Sequence, residues 1–429
     1  MKTSKDPMFF AEESARLRGR TILRYCNIGK TGGGVEQYLD KLNRAMIERF
    51  AMTIIQVYSA KENEASAIEV ERIGKGSLAW VPLIFKKSVI PGPLAYKMFI
   101  KRATGAWLNA MSLRSAALAF RLRNHRYMHN PDVYYYEVVN RYISEIVEAC
   151  KIDLAAFHWM DERSENIIAQ VRLKKIPFII INHFDNRRYE LPAMKKWAGH
   201  ARGCAGVSNA NVPGYLRGQF INLADGIDMD FFCQDRCRPK VENVRPIVFL
   251  PSRITPSKGH MDLIRALSFS GLPAIRPLVV FAGREDSTSF SRLLKSYIRK
   301  SGMQNDVIFQ GELDPEGLRG WYGACDVVVL PSYSEGLSRV LLEAQAMRRP
   351  VVAYDIAGIS EAMEDGQTGY TAPVGDYRAL GLRIDEILGD PAMAKEMGLR
   401  GRRLVETRFS FEGLVRRHER FYSRCLSDA

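Results

Sequence analysis

The chain has 429 residues, enough for two domains that each bury a core of their own. At 46% hydrophobic and 26% charged it has the composition of a globular protein, with no run near the ~18 apolar residues that would span a membrane. Its net charge of +14 calls for an anionic partner or a local explanation.

The N-terminal stretch MKTSKDPMFFAEESARLRGR lacks the apolar run and cleavage site of a signal peptide. The 7 cysteines are odd in number and scattered, with Cys233 and Cys237 the single close pair. The expectation is a cytoplasmic protein with free thiols and no zinc site. Residues 21–27 read as a short strand. NIGKTGGG at 27–34 then reads as a glycine loop opening a helix over 35–50, whose buried face is Val35, Leu39, Leu42 and Met46. Successive glycines let a backbone approach a ligand, and the helix N-terminus behind Gly33 and Gly34 favours phosphate. A plain strand-to-helix turn reads the same way, since the loop matches neither G-x-G-x-x-G nor the residue order of a P-loop.

Between Glu71 and Asp132 there is no acidic residue, while the interval 72–126 mixes Lys86, Lys87, Lys101 and Arg102 with Trp80, Phe85, Phe99 and Trp107. Basic residues among aromatics suit a surface that docks on anionic lipid headgroups. The same mixture also arises from ordinary core with solvated helix faces. Nucleic acid is disfavoured as a partner because no nucleic-acid motif appears. Residues 131–151 then read as an aromatic-rich helix and 152–157 as a strand ending at His158, at the sheet edge where ligands bind. A buried strand over 177–181 ends in Asn182 and His183, after which Arg187, Arg188 and Tyr189 are expected to run outward, where a loop can meet an acceptor. Residues 205–208 read as another short strand. Asp228 and Asp230 spell D-x-D, but they sit in a turn with no further metal ligands beside them, so no metal site is expected.

The polar, proline-bearing stretch 235–246 reads as a linker. A second domain begins with a strand over 247–250, followed by Arg253 and Lys258, two cations able to clamp a diphosphate at the carboxyl end of a strand. Further strands are expected over 277–283 and 307–313. The stretch 326–370 organises the chain: an apolar β-branched strand to Leu330, a turn from Ser334 to Ser338, and a helix with Val340, Leu341, Ala344 and Met347 inward. Glu335 precedes that helix and Glu343 lies within it, so two carboxylates and a positive helix end surround one crevice. Such a crevice suits a sugar nucleotide: amides for phosphate, carboxylates for vicinal hydroxyls. The tail from 391 onward has helical pattern, with Phe409, Leu414, Phe421 and Tyr422 apolar.

The ordered string P-S-x-x-E-G from Pro331, Glu335 and Glu343 eight apart, P-V-V-A after Arg349, and G-x-x-E at Gly358 and Glu361 resembles the family 4 retaining glycosyltransferases, glycosyl transferases group 1. Asp153 with His158, Asp225-Gly226-Ile227-Asp228, and Arg253 with Lys258 and Gly259 extend the resemblance over nearly the whole chain. It implies an α/β GT-B architecture, two doubly wound Rossmann-like domains facing across a cleft. Residues 1–235 would form the acceptor side, 236–405 the sugar-nucleotide side, and 406–429 a last helix crossing back to the first domain. The resemblance gives His158 and Glu335 to the transferred sugar. Arg253, Lys258, Gly33, Gly34, Ser338 and Arg339 would lie along the donor diphosphate. Glu343 would hold the ribose and Leu313 the nucleobase. His183, Arg187 and Arg188 stand as acceptor-side candidates.

The implied reaction is front-face transfer with retention, needing no metal or other cofactor, from a nucleotide-diphosphate sugar to a glycan or lipid-linked acceptor. Surface polysaccharide or glycolipid assembly at the inner face of the cytoplasmic membrane is the expected setting. A GT-B epimerase or phosphorylase, or a non-catalytic anionic-lipid-binding protein, would share the architecture. The chain departs from the family pattern at Asp225, where asparagine is usual, at Ser338, Arg339 and Arg348, and at Ala357.

Overall fold

The structure is a computed structural model, and it describes residues 15–26, 34–60, 69–84, 143–144, 146–148, 150–158, 162–233, 245–269 and 276–427. The basic, aromatic interval beyond residue 84, most of the helix expected at 131–151, nearly all of the linker and Gly33 lie outside the described residues.

Among the described residues the first domain is built on eight strands. β1 (Thr21–Cys26) and β2 (Thr53–Ala60) are joined by α1 (Gly34–Phe50), and β3 (Glu69–Ile73) and β4 (Gly76–Ile84) form a hairpin. β5 (Leu154–Phe157), α2 (Glu162–Leu173), β6 (Phe178–Asn182), α3 (Pro192–Ala198), β7 (Gly203–Gly206) and β8 (Phe220–Asn222) complete it. The strand order is β3-β4-β2-β1-β5-β6-β7-β8, parallel throughout except at the β3–β4 hairpin. Five of the six residues of β1, and every residue of β5 and β6, are buried. That is the signature of parallel strands covered on both faces. The hairpin and β2 fall in a part of the chain where no element was expected.

The second domain holds β9 (Ile247–Pro251), α4 (His260–Phe269), β10 (Leu278–Ala282), α5 (Thr288–Lys300), β11 (Val307–Gly311) and α6 (Pro315–Ala324). It continues through β12 (Val327–Leu330), α7 (Arg339–Ala346), β13 (Val351–Tyr354), the short α8 (Ile359–Ala362), β14 (Gly369–Ala372) and α9 (Tyr377–Gly389). All six strands are parallel in the order β11-β10-β9-β12-β13-β14. Counted within the domain this is 3-2-1-4-5-6, the doubly wound dinucleotide-fold order.

The tail divides into α10 (Pro391–Arg408) and α11 (Phe411–Ser427). The break lies where Phe409 and Phe411 bond to Ile227: the Ile227 amide donates to the Phe409 carbonyl at 2.7 Å, and the Phe411 amide donates to the Ile227 carbonyl at 3.1 Å. A backbone that bridges sideways cannot keep its i to i−4 ladder, so the helix restarts. α11 then leaves the second domain. Leu414, Val415, Phe421, Tyr422 and Cys425 are buried in the core of the first, among Leu42, Met46 and Ile54.

Candidate functional site

The second sheet reverses its order between β9 and β12, and the loops leaving the carboxyl ends of those strands flank the crevice in which such sheets bind ligands. The loop after β9 carries Arg253 and Lys258; the loop after β12 carries Glu335. Pro256–Lys258 makes one 3-10 turn, closed by Gly259 at φ 69°. A Cβ there would stand 2.0 Å from the Pro331 carbonyl oxygen, so only glycine lets the lysine turn lie on the β12 loop. As a result Lys258 Nζ donates to Glu335 Oε1 at 2.6 Å, with both side chains mostly out of solvent. Arg253 stands apart at the rim, 61% exposed and paired with Asp286 at 3.0 Å.

Ser338 is the cap of α7, its hydroxyl accepting from the Leu341 amide at 3.4 Å. Arg339 turns back along its own helix, Nη2 donating to Glu343 Oε1 at 3.2 Å, while the Tyr322 hydroxyl donates to Glu343 Oε2 at 3.1 Å. Burial raises the Glu343 pKa, and the Arg339 guanidinium opposes that rise. Each Glu343 oxygen keeps a second lone pair for a hydroxyl. Asp225, buried at the edge of the first domain, also lies in the field of Arg339. Leu313 packs partly buried against the second core, next to Asp314, whose carboxylate caps α6 by accepting from the Gly317 amide at 2.7 Å.

In the first sheet the order reverses between β1 and β5. Gly34 is the first residue of α1, and His158 follows β5 directly. Asp153 and His158, whose spacing is part of the resemblance, lie apart. The strand between them carries Asp153 to the opposite sheet edge, where it accepts from Arg20 and from the Thr21 amide, each at 2.7 Å. Instead His158 Nδ1 lies 2.8 Å from Nε2 of His183, with the ring planes 19° apart and 5.2 Å between centroids, so the rings meet edge to edge through that bond. Tyr38 of α1 sets its ring edge-on to His183 at 5.3 Å, and its hydroxyl lies 3.0 Å from His418 Nε2 on α11. Arg24 of β1 is fully buried behind them; it donates to Asn43 and, at 2.7 Å, to the Tyr422 hydroxyl. Burial first, then Arg24, pushes His158 well below the ordinary imidazole range and His183 down to about 3. Both rings are neutral at pH 7.

The outward loop expected after His183 is corrected by the structure. Asn186–Glu190 is a 3-10 turn, and Tyr189 points inward, fully buried, donating to the Ala205 carbonyl at 2.7 Å. A phenol gains more by burying its ring while keeping one hydrogen bond than by standing in water. Arg187 does face solvent and is tied to Asp185; Arg188 lies 4.3 Å from the centre of the Phe184 ring. The D-x-D aspartate Asp228 pairs with Lys41 and accepts from the Asp230 and Phe231 amides. Among the described residues no group of three or more His, Cys, Asp or Glu is arranged to hold a metal ion.

The two half-sites touch. A Cβ on Gly336, next to Glu335, would stand 2.7 Å from the His183 carbonyl oxygen, so the two loops meet backbone to backbone. Glu361 on α8 completes the joint. Its carboxylate accepts from Ser208 Oγ at 2.6 Å, from the Asn209 and Ala210 amides at 2.8 and 2.9 Å, and from Asn222 Nδ2 at 3.1 Å. Glu361, Arg24, Tyr38 and His418 were not marked as site residues from sequence. Arg24 had a local signal, a cation inside the apolar strand TILRYC; Glu361 stood in the G-x-x-E motif, which does not reveal its role at the joint; Tyr38 and His418 had none.

His260, the first residue of α4 beside Lys258, is fully buried and held down to about 3 by burial and then by Lys258. Its folded value is below its unfolded value near 6.5, so in that window the unfolded chain binds the extra proton. Stability is therefore complete above pH 6.5 and falls with pH at ~1.4 kcal/mol per unit for this group. Denaturant titrations at pH 7 and pH 5 should differ by about 2 kcal/mol from His260 alone. That difference should shrink in His260→Gln; an unchanged difference would contradict the assignment.

Residues 235–404 match the family model of glycosyl transferases group 1. The chain is 26% identical over 191 residues to the capsular polysaccharide biosynthesis glycosyltransferase CapM of Staphylococcus aureus, covering 44% of this chain and 49% of that one. It is 40% identical over 151 residues to a D-inositol 3-phosphate glycosyltransferase of Arthrobacter sp. (strain FB24), covering 34% of this chain and 35% of the relative. The matched region thus spans half or less of the length of these curated relatives. Among solved structures, Anabaena HepE in complex with UDP and glucose superposes with a TM-score of 0.67 at 17% identity, over 94% of this chain and 99% of that one. The shared architecture is the GT-B fold.

Proposed function

We propose, from a chain whose residues 235–404 form a glycosyl transferases group 1 domain on a GT-B fold, that the protein is a retaining glycosyltransferase. It moves a hexosyl unit from a nucleotide-diphosphate sugar to a glycan or lipid-linked acceptor in polysaccharide or glycolipid assembly. The observation that carries this reading is the Lys258–Glu335 pair at the switch point of one sheet, in backbone contact through Gly336 with the His158–His183 pair at the switch point of the other. The naming of CapM and the UDP and glucose held by HepE support it.

In the reaction the bond from the anomeric carbon to the diphosphate oxygen breaks. The acceptor oxygen bonds to the same carbon on the same face, and its proton passes to the departing diphosphate oxygen. Lys258 and the α7 N-terminus, with Arg253 recruited from the rim, stabilise the charge that grows on the diphosphate. Glu335 accepts from sugar hydroxyls through the oxygen that Lys258 leaves open. Glu343 takes the ribose, Leu313 borders the base, and His158 holds the sugar from the other domain. His158 is 1% exposed, so the donor enters with the domains apart and is gripped on closure.

The testing experiment is a thermal-shift and turnover panel of UDP-, GDP-, ADP- and dTDP-sugars with and without EDTA, on wild type and Glu335→Ala. One donor should stabilise the wild type, by about 2.7 kcal/mol at 100 times its dissociation constant. Turnover should survive EDTA and fail in Glu335→Ala. No response to any donor would defeat the proposal.

Action at the inner face of the cytoplasmic membrane is proposed from the acid-free interval alone; among the described residues no helix is long and apolar enough to cross a membrane. Neutralising Lys86, Lys87, Lys101 and Arg102 together should release the protein from anionic vesicles in co-sedimentation at moderate salt, at ~1 kcal/mol per cation. Unchanged co-sedimentation would remove the membrane from the proposal.

A further inference from the structure

The histidine pair contains one atom with nothing to bond. His158 Nδ1 is taken by His183, and His158 Nε2 is buried with no hydrogen-bond partner. Two neutral rings sharing one hydrogen bond have two arrangements. With the proton on His158 Nδ1, Nε2 is a bare lone pair; with the proton on His183 Nε2, His158 Nε2 carries hydrogen and is a donor. The choice belongs to the pair, because the proton on one ring nitrogen fixes the role of the other.

Two features select the first arrangement. A buried N–H without an acceptor is rarer and costlier than a buried acceptor without a donor. His183 is also the more exposed of the two, so its Nδ1–H is the one that can reach water. The surroundings are themselves locked: His418 on α11 gives its Nδ1–H to the Leu414 carbonyl at 3.1 Å, so its Nε2 can only accept, and the Tyr38 hydroxyl proton is committed to it. Arg339 on α7 adds its charge from the second domain. No carboxylate is among the influences resolved on either ring.

We infer that His183 is a positioning residue: through the Nδ1–Nε2 hydrogen bond it holds His158 with a bare Nε2, so that His158 accepts a hydrogen bond from a hydroxyl of the transferred sugar. This rests on the donor reading above for the identity of the ligand, but the pair itself does not. A consequence for specificity follows. A donor sugar whose hydroxyl at this position is removed or methylated leaves Nε2 orphaned and is rejected, whereas a site that donated there would tolerate the methyl ether's oxygen.

The test is long-range 1H–15N spectroscopy on the full chain labelled in histidine, with no ligand, His158 being assigned by its loss in His158→Gln. The expected result is a protonated Nδ1 and an unprotonated Nε2 on His158, unchanged from pH 8 to pH 6. In His183→Phe, which keeps an aromatic ring at the position and loses the acceptor, the His158 tautomer should change, and kcat should fall about 10- to 100-fold with KM little altered, as for outer partners of other functional histidines. His183→Gln, whose side-chain carbonyl can still accept from Nδ1–H, should restore both. A hydrogen-bearing Nε2 in the wild type, or a His158 tautomer indifferent to His183→Phe, overturns the inference. The expected spectrum with no response to any sugar nucleotide would leave the pair standing and defeat the donor reading instead.

Discussion

Lys258→Ala is expected to lower kcat for sugar transfer by about 100- to 1,000-fold, close to 3 kcal/mol in the barrier, while leaving the fold intact. The lysine is in direct contact with Glu335, at 2.6 Å, and it sits where the second sheet changes direction. An ammonium held there before reaction needs no reorientation as charge builds on a leaving diphosphate, which is why such fixed charges weigh heavily in the barrier. The substitution also strips Glu335 of its partner in a mostly buried position. The double variant with Glu335→Ala should therefore be less damaged than the product of the two single effects. Arg253→Ala is expected to cost less in kcat, since Arg253 is already satisfied by Asp286 at the rim. Steady-state kinetics on the four variants tests the ordering. A Lys258→Ala enzyme with wild-type kcat would dissolve the donor assignment.

Glu361→Ala should carry the second large effect, about 3 kcal/mol of stability at the joint. One carboxylate satisfies a hydroxyl, two backbone amides and a side-chain amide of the other domain, and none of these donors has its bond replaced by alanine. Charge-assisted bonds are the strong ones, and donors left bare in a partly closed joint cost more than the average bond contributes. Glu361→Gln should fall between the two, because its amide end presents hydrogen to donors. Because two domains need not unfold together, scanning calorimetry resolving both transitions is the measurement. Domain melting that stays coupled and unshifted in Glu361→Ala would show that the joint is held elsewhere.

Much of the fold could be read in the chain because parallel strands announce themselves. Runs such as Val327–Leu330 and Phe178–Asn182 are apolar and β-branched on both faces, and the turn residues around them fix their ends. Lys258, Glu335, His158 and His183 were singled out as candidates because each follows such a strand, at the sheet edge where ligands bind. Tyr189 was misplaced because polar neighbours mask an aromatic that the tertiary fold turns inward. His418 was beyond reach for a different reason, its partner lying 380 residues away; Glu361 was visible in the G-x-x-E motif, but no local pattern records that its partner lies 153 residues away. Two departures from the family pattern do gain a meaning together. Asp225 and Arg339 are opposite charges, each within the other's field at the joint.

The last helix also sets the order in which the protein can be completed. α11 supplies Leu414, Phe421 and Tyr422 to the core of the first domain, and Tyr422 is a hydrogen-bond partner of Arg24, 398 residues earlier. During synthesis the strands of the first domain emerge first, yet their sheet lacks part of one covering face until α11 is made. The second domain, whose parallel sheet is wholly contained between residues 247 and 372, can close in the meantime. Synthesis therefore runs from first domain to second while maturation runs from second to first. The buried arginine of β1 waits for a tyrosine made 398 residues later.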